Sequence, residues 1–186
     1  MNVSPELDAQ FRERATAEGL LDVAYDFVDT PIGALLVAVS DRGVARISFD
    51  PEPDRELDLL ARTYGLRVLR SVRAVDRSRR ELSEYFEGSR TDFELPVDLR
   101  VDAPFRRLVM HELARVPYGS VITYGALAAK AGRPRAARAV GTIMNRNPVP
   151  IVLPCHRVVG STGSLVGYGG GLERKEALLR LEGVIS

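Results

Sequence analysis

Between residues 91 and 104 the sequence reads TDFELPVDLRVDAP, and across this stretch the charge of the chain changes sign. Residues 1–100 carry 14 Lys and Arg against 20 Asp and Glu, whereas residues 101–186 carry 12 against 5. The overall charge of +1 therefore hides an acidic half joined to a basic one. Pro96 and Pro104 interrupt any helix or inner strand that would run through the junction. The chain accordingly reads as an extension over 1–22, an α/β domain over 23–100 and a second domain over 101–186. A basic module beside an acidic one fits polyanion binding with a separate supporting domain. Chance segregation of solvated surface charge is the alternative.

With 45% hydrophobic and 27% charged residues in 186, the composition is that of soluble globular domains. No apolar run nears the roughly 20 residues of a membrane helix. The charged start, MNVSPELDAQFRERATAEG, lacks a signal-peptide core. A single cysteine allows no internal disulfide, and with two histidines it leaves too little for a zinc site. The expectation is a cytoplasmic protein with no membrane partner, no metal and no cofactor.

Punctuation by Gly and Pro divides each half. Residues 26–49 read as β structure, with turns at Pro31–Gly33 and at SDRG, 40–43. DRELDLLARTYG is a short helix ending at Gly65, LRVLRSV alternates like a strand, and AVDRSRRELSEYFEGS is a helix with Leu82, Tyr85 and Phe86 on one face. In the second half, APFRRLVMHELARVPYG spaces Phe105, Leu108, Val109, Leu113 and Val116 helically. Thr123 suits the N-cap of the Ala-rich helix in SVITYGALAAKAG. A second short helix follows in RPRAARAVGTIMNRNP, with Pro134 near its first turn and Pro148 just past its end. The pair is a helix-turn-helix candidate. LERKEALLRLEGV forms a final helix closed by Gly183.

The second helix of the pair opens with Ala136, Ala137, Ala139 and Gly141 around one long cation, Arg138. Helices that read the major groove usually carry several polar side chains. Small residues instead allow close approach to the minor groove, with Arg138 reaching into the base stack. A tightly packed Ala/Gly helix with Arg138 extending to solvent is the other reading.

In IVLPCHRVVG, residues 151–160, the lone Cys155 precedes His156. Cysteine attacks as thiolate, and an imidazole steadied by a carboxylate can take its proton. Neighbours on a regular strand point to opposite faces, so the two can cooperate only where the backbone turns or a water bridges them. Pro154 favours an irregular backbone, and Glu182 on the final helix is the candidate carboxylate. A buried structural thiol remains the alternative.

The run PCHRVVGSTGSLVGYGGG resembles the active-site signature of the O6-alkylguanine-DNA alkyltransferases, the methylated-DNA–protein-cysteine methyltransferases. The resemblance continues through VPYGSVITYGALAAKAG, PRAARAVG, NRNPVPIVLPCHRVVG and GGLERKEALLRLEG, dense over 104–184 and looser over 26–100. It implies an α+β fold: a small ribonuclease-H-like domain of sheet and helix, then a helix-turn-helix domain of winged-helix type. It implies Cys155 as alkyl acceptor, His156 as base through a bridging water, and Glu182 as its orienting acid. Tyr124 would hydrogen-bond the flipped base, and Asn147 would join two functional surfaces. Arg138, with Ala137, Ala139, Gly141, Thr123 and Tyr124, would contact duplex DNA. Pro150, Val158, Tyr168, Gly169 and Gly170 would line the base pocket.

The expected partner is double-stranded DNA containing O6-alkylguanine, with O4-alkylthymine as a further lesion; the protein is expected to be a monomer in solution, with cooperative binding along DNA left open. Two departures stand out. The family's Phe-Gln-x-x-Val-Trp reads here as Phe105-Arg106-Arg107-Leu108-Val109-Met110, and the zinc ligands of some members are absent. GYGGG is not followed by Lys-Ser/Thr, so a nucleotide-binding P-loop is excluded. A cysteine hydrolase needs a histidine remote from the cysteine in sequence, for which only His111 is available. A non-catalytic alkylation-damage binder on the same scaffold is the nearer rival.

Overall fold

A computed structural model describes residues 4–100 and 103–186, so residues 101 and 102 of the expected boundary lie outside the described residues. The chain forms two units, one of residues 1–84 and 94–99 and one of residues 85–93 and 100–186. Residues 85–93 are the exception to a single cut in the chain, grouping with the second unit. Aromatic contacts account for that exception: the Tyr85 ring stacks on Phe93 and meets Tyr118 edge-on.

The first unit begins with helix α1 (Pro5–Ala17) and contains a four-stranded sheet. Strands β1 (Val23–Val28), β2 (Leu35–Ser40) and β3 (Gly43–Phe49) are antiparallel neighbours, and β4 (Val68–Arg70) pairs parallel with β1. The parallel pairing requires a crossover, which α2 (Pro53–Tyr64) provides before it stops at Gly65. Its Leu60 packs with Val23, Leu36, Ala38 and Ala45 in the core. Buried Asp26 is held by Arg70 at 2.6 Å and by Arg79 of α3 (Val72–Phe86). Gly43, at φ 134°, starts β3 where a Cβ would stand 2.2 Å from the Pro96 carbonyl oxygen. That closeness lets Val44 N–H donate to Pro96 O at 2.8 Å.

The second unit contains α4 (Pro104–Ala114), β5 (Ile122–Thr123), α5 (Tyr124–Lys130), α6 (Ala137–Asn145), β6 (Val158–Val159) and α7 (Leu172–Leu181). Helices α5 and α6 pack on each other and on α4 as a helix-turn-helix. Thr123 caps α5 as its sequence position predicts, accepting from Ala126 N–H at 3.1 Å.

One local expectation needs correction. Leu108 is 53% exposed, and Met110 takes the buried position on α4 beside Val109 and Leu113. Pro134 stands just ahead of α6, in a turn closed by Ala136 N–H to Arg133 O at 2.9 Å. Arg106 donates to Arg146 O at 2.9 Å and so caps the end of α6. The short strands decide what meets what. β5 pairs in parallel with β6, Ile122 opposite Val158 and Thr123 opposite Val159, which sets the start of α5 beside the residues following Cys155–Arg157.

Gly43→Ala should destabilise the chain by more than about 2 kcal/mol in urea unfolding, through both its φ and the Pro96 contact. Gly19→Ala, with open space around its Cβ, should cost only about 1 kcal/mol.

Candidate active site

Cys155 starts a single 3-10 turn, Cys155–Arg157, directly after Pro154. The backbone turn meets the geometric condition for a cysteine and its neighbouring histidine to share one site. Upstream, the loop from Asn147 tightens through Leu153 N–H to Val149 O at 2.9 Å, with buried Ile151 held at φ 75°. A β-branched residue in the left-handed region is strained, and the surrounding loop must impose that conformation. Asn147 ties the loop together rather than capping α6, whose C-cap is Arg146. Its Nδ2 donates to Leu153 O at 2.8 Å and to Cys155 Sγ at 3.1 Å, and its Oδ1 accepts from Val149 N–H at 3.1 Å.

Glu182 stands at the C-cap of α7, just past Leu181, with Gly183 following at φ 71°. Its carboxylate is fully buried and heavily hydrogen-bonded. Oε1 accepts from His156 Nε2 at 2.8 Å, Tyr85 OH at 2.7 Å and Arg157 Nη2 at 2.9 Å. Oε2 accepts from Arg157 Nε at 2.9 Å and from Gly119 N–H at 3.3 Å. Arg157 Nη1 donates to Val116 O at 2.6 Å. Burial alone would raise the Glu182 pKa, but hydrogen bonds from His156 and Arg157, with their charges, bring it down to about 2.

The imidazole of His156 is fully buried, and burial pushes its pKa below the ordinary value against the pull of Glu182. A neutral ring facing an ionised carboxylate must carry its proton on Nε2. Its Nδ1 lone pair is then free to accept, and this atom has no hydrogen-bond partner among the described residues. Cys155 is 3% exposed, and burial raises its thiol to about 11 despite the Asn147 amide, nearby backbone N–H groups and the charge of Lys175. The resting sulfur is therefore a thiol. An imidazole able to take a proton sits next in sequence to a thiol that must lose one.

Of the other predicted positions, Tyr124 opens α5 and its hydroxyl donates to Val166 O (3.1 Å) or Gly167 O (3.2 Å). Burial, then the charge of Cys155, raises its pKa, which puts phenol and sulfur in one neighbourhood. The same two causes raise Tyr168 well above the ordinary range. Gly169 is exposed and Gly170 buried, its carbonyl taken by Arg174 at 3.0 Å. Pro150 and Val158 are sealed inside the unit. Arg138 and Ala139 are exposed on α6, while Ala137 and Gly141 are half-buried. The Tyr124 ring passes 3.9 Å from where a Cβ on Gly141 would be. The structure thus gathers Cys155, His156, Glu182, Asn147, Tyr124 and Tyr168, and leaves Arg138 on an exposed helix face.

Sequence reasoning missed three members. Arg157 follows the Cys-His pair inside an apolar run, where a cation requires a partner. Lys175 shares the buried face of α7 with Leu178 and Leu179, a spacing that signals an inward lysine. Its Nζ donates to Val158 O at 2.6 Å and Val166 O at 3.1 Å, pinning the loop after β6. Tyr85 lies 97 residues from Glu182, beyond the reach of any local pattern.

Residues 23–99 match the sequence model of the ribonuclease-like domain of 6-O-methylguanine DNA methyltransferase. Residues 104–184 match that of its DNA binding domain. The methylated-DNA–protein-cysteine methyltransferase of Mycolicibacterium paratuberculosis is 40% identical over 86% of this chain and 92% of its own length. The Methanosarcina barkeri protein of the same name is 37% identical over 85% and 96%. Among solved structures, Mycobacterium tuberculosis OGT in complex with DNA is similar with a TM-score of 0.75 at 36% identity, covering 86% of this chain and 92% of that one.

Glu182→Gln should lower stability by about 3–5 kcal/mol, because buried Arg157 loses its anion. Glu182 has a folded pKa of about 2 against an ordinary 4.5. Its stabilisation is therefore complete above pH 4.5 and is lost as pH falls toward 2. Acid unfolding followed by circular dichroism should show the variant less sensitive to pH across that window.

Proposed function

The chain belongs to the 6-O-methylguanine DNA methyltransferase family, and from that premise we propose that it repairs DNA by moving the alkyl group of O6-alkylguanine onto Cys155. The observation that carries this reading is the relay behind the sulfur. Glu182 holds His156 Nε2–H at 2.8 Å and leaves Nδ1 as the one basic atom of a neutral ring.

The alkyl carbon of such a lesion lies inside the duplex, so the nucleotide must leave the stack at a cost of a few kcal/mol. The small residues of α6, Ala137, Ala139 and Gly141, let that helix approach the minor groove. Exposed Arg138 enters the space that the base vacates and offsets part of the cost. Thr123, as the cap of α5, fixes the helix that presents Tyr124. The extruded base enters beside Tyr168 and the Gly169–Gly170 backbone, with Pro150 and Val158 behind the loop that carries the sulfur.

There the thiol proton of Cys155 passes to His156 Nδ1 through a bridging water. The S–C bond forms as the C–O6 bond breaks, and the electron pair leaves with guanine. Tyr124 supports the departing charge, and guanine is released after taking one proton. Glu182 stays ionised and steadies the imidazolium. The Asn147 amide at 3.1 Å steadies the sulfur as its charge develops. The product is a thioether with no leaving group at carbon, so each molecule acts once. A reducing cytoplasm keeps the lone thiol available, and a monomer suffices for the chemistry. A non-catalytic damage binder would need neither the thiol nor the relay behind it, and this chain has both.

Mixing the protein with a duplex carrying labelled O6-methylguanine should give one burst of transfer equal to the active protein, with one methyl on the Cys155 peptide. Sustained turnover, or binding without transfer, would contradict the reading. Arg138→Ala should slow transfer from duplex DNA by about tenfold or more while leaving reaction with a free O6-alkylguanine base within about twofold.

A further inference from the structure

The hydroxyl of Tyr85 has no part in the scheme above, yet it is built into the relay. Tyr85 is fully buried, its ring fixed by Phe86, Phe93 and Tyr118 at centroid distances of 5.4, 5.3 and 6.1 Å. Its hydroxyl donates at 2.7 Å to Glu182 Oε1, the same oxygen that holds His156 Nε2 at 2.8 Å and Arg157 Nη2 at 2.9 Å. A carboxylate oxygen has about two acceptor sites, so these donors, joined by Arg157 Nε at 3.2 Å, must share it, and each weakens its hold on the others. Aim is not what the phenol supplies. The Arg157 fork and Gly119 N–H already orient the carboxylate through Oε2 and Oε1. What the hydroxyl changes is how strongly Oε1 draws on the imidazole.

We propose that Tyr85 is a positioning residue of the alkyl transfer, acting through Glu182. Its hydroxyl occupies part of Oε1, limits the carboxylate's pull on His156, and so keeps Nδ1 unprotonated and ready for the thiol proton. The inference rests on the alkyl-transfer reading. The groups facing the Glu182–His156 pair divide cleanly. Arg157 and Lys175 push the ring toward neutrality, and Glu182 alone pulls the other way. Cys155 is a neutral thiol at rest, and Tyr118 spends its hydroxyl on Leu181 O at 2.9 Å. Burial and the Glu182 charge keep the Tyr85 phenol protonated throughout the working range, so it remains a donor.

The test measures single-turnover transfer from an O6-methylguanine duplex between about pH 5 and about pH 9, where the acid limb reports the base of the free protein. Tyr85→Phe keeps the ring and removes the donor. It should move the acid limb upward by about half a unit to one unit, leaving the alkaline plateau within about twofold. The chain carrying 3-fluorotyrosine in place of Tyr85 offers a stronger donor of nearly the same size, and its acid limb should move downward. Opposite shifts support the proposal. Coincident limbs, shifts of one sign, or a lowered plateau with an unmoved limb overturn it in favour of a packing role. Should Tyr85→Phe not fold, the fluorotyrosine arm decides alone: a downward shift supports the proposal and no shift ends it. Absence of transfer by the unsubstituted protein would instead sink the alkyl-transfer reading.

Discussion

The ion pair between Glu182 and Arg157, sealed from water, is the constraint on which the second unit's site depends. Neither charge could stay buried alone. Together they form a forked, charge-assisted contact whose spare valences reach outward, from Arg157 to Val116 O and from Glu182 to Gly119, Tyr85 and His156. The end of α4, the Cys155–Arg157 turn and the end of α7 are thereby fixed to one point. Catalytic geometry and fold stability share the same atoms, so the site cannot loosen without the unit loosening too.

The charges around that point explain how the site rests. Hydrogen bonds and charge from His156 and Arg157 keep Glu182 ionised against its burial, whereas burial keeps His156 neutral and Cys155 protonated. One proton transfer separates this state from a reactive thiolate. The sulfur gains its charge only beside an Asn147 amide, backbone N–H groups and Lys175, which are already in place to receive it. Such prearranged dipoles cost no reorganisation at the moment of reaction.

Much of this was legible in the sequence, for reasons that differ by element. The hairpin at SDRG, the stop at Gly65, the Thr123 cap and the turn behind Pro154 are local events, dictated by residues a few positions apart. The motif around Cys155 was equally readable, because Pro-Cys-His-Arg places three functional side chains on one turn. Periodicity failed at Leu108, whose spacing suits the buried face while Met110 has the better path into it. Tyr85 could not be found this way. A hydrogen bond spanning 97 residues leaves no trace in any window, and the same contact carries 85–93 into the second unit.

The burial of Cys155 has a consequence for how the molecule survives before use. Peroxides and small electrophiles consume thiolates that solvent can reach. This sulfur is 3% exposed and ionises only near about 11. The apolar packing that makes this thiol reluctant to ionise therefore also shields it from oxidants in solution.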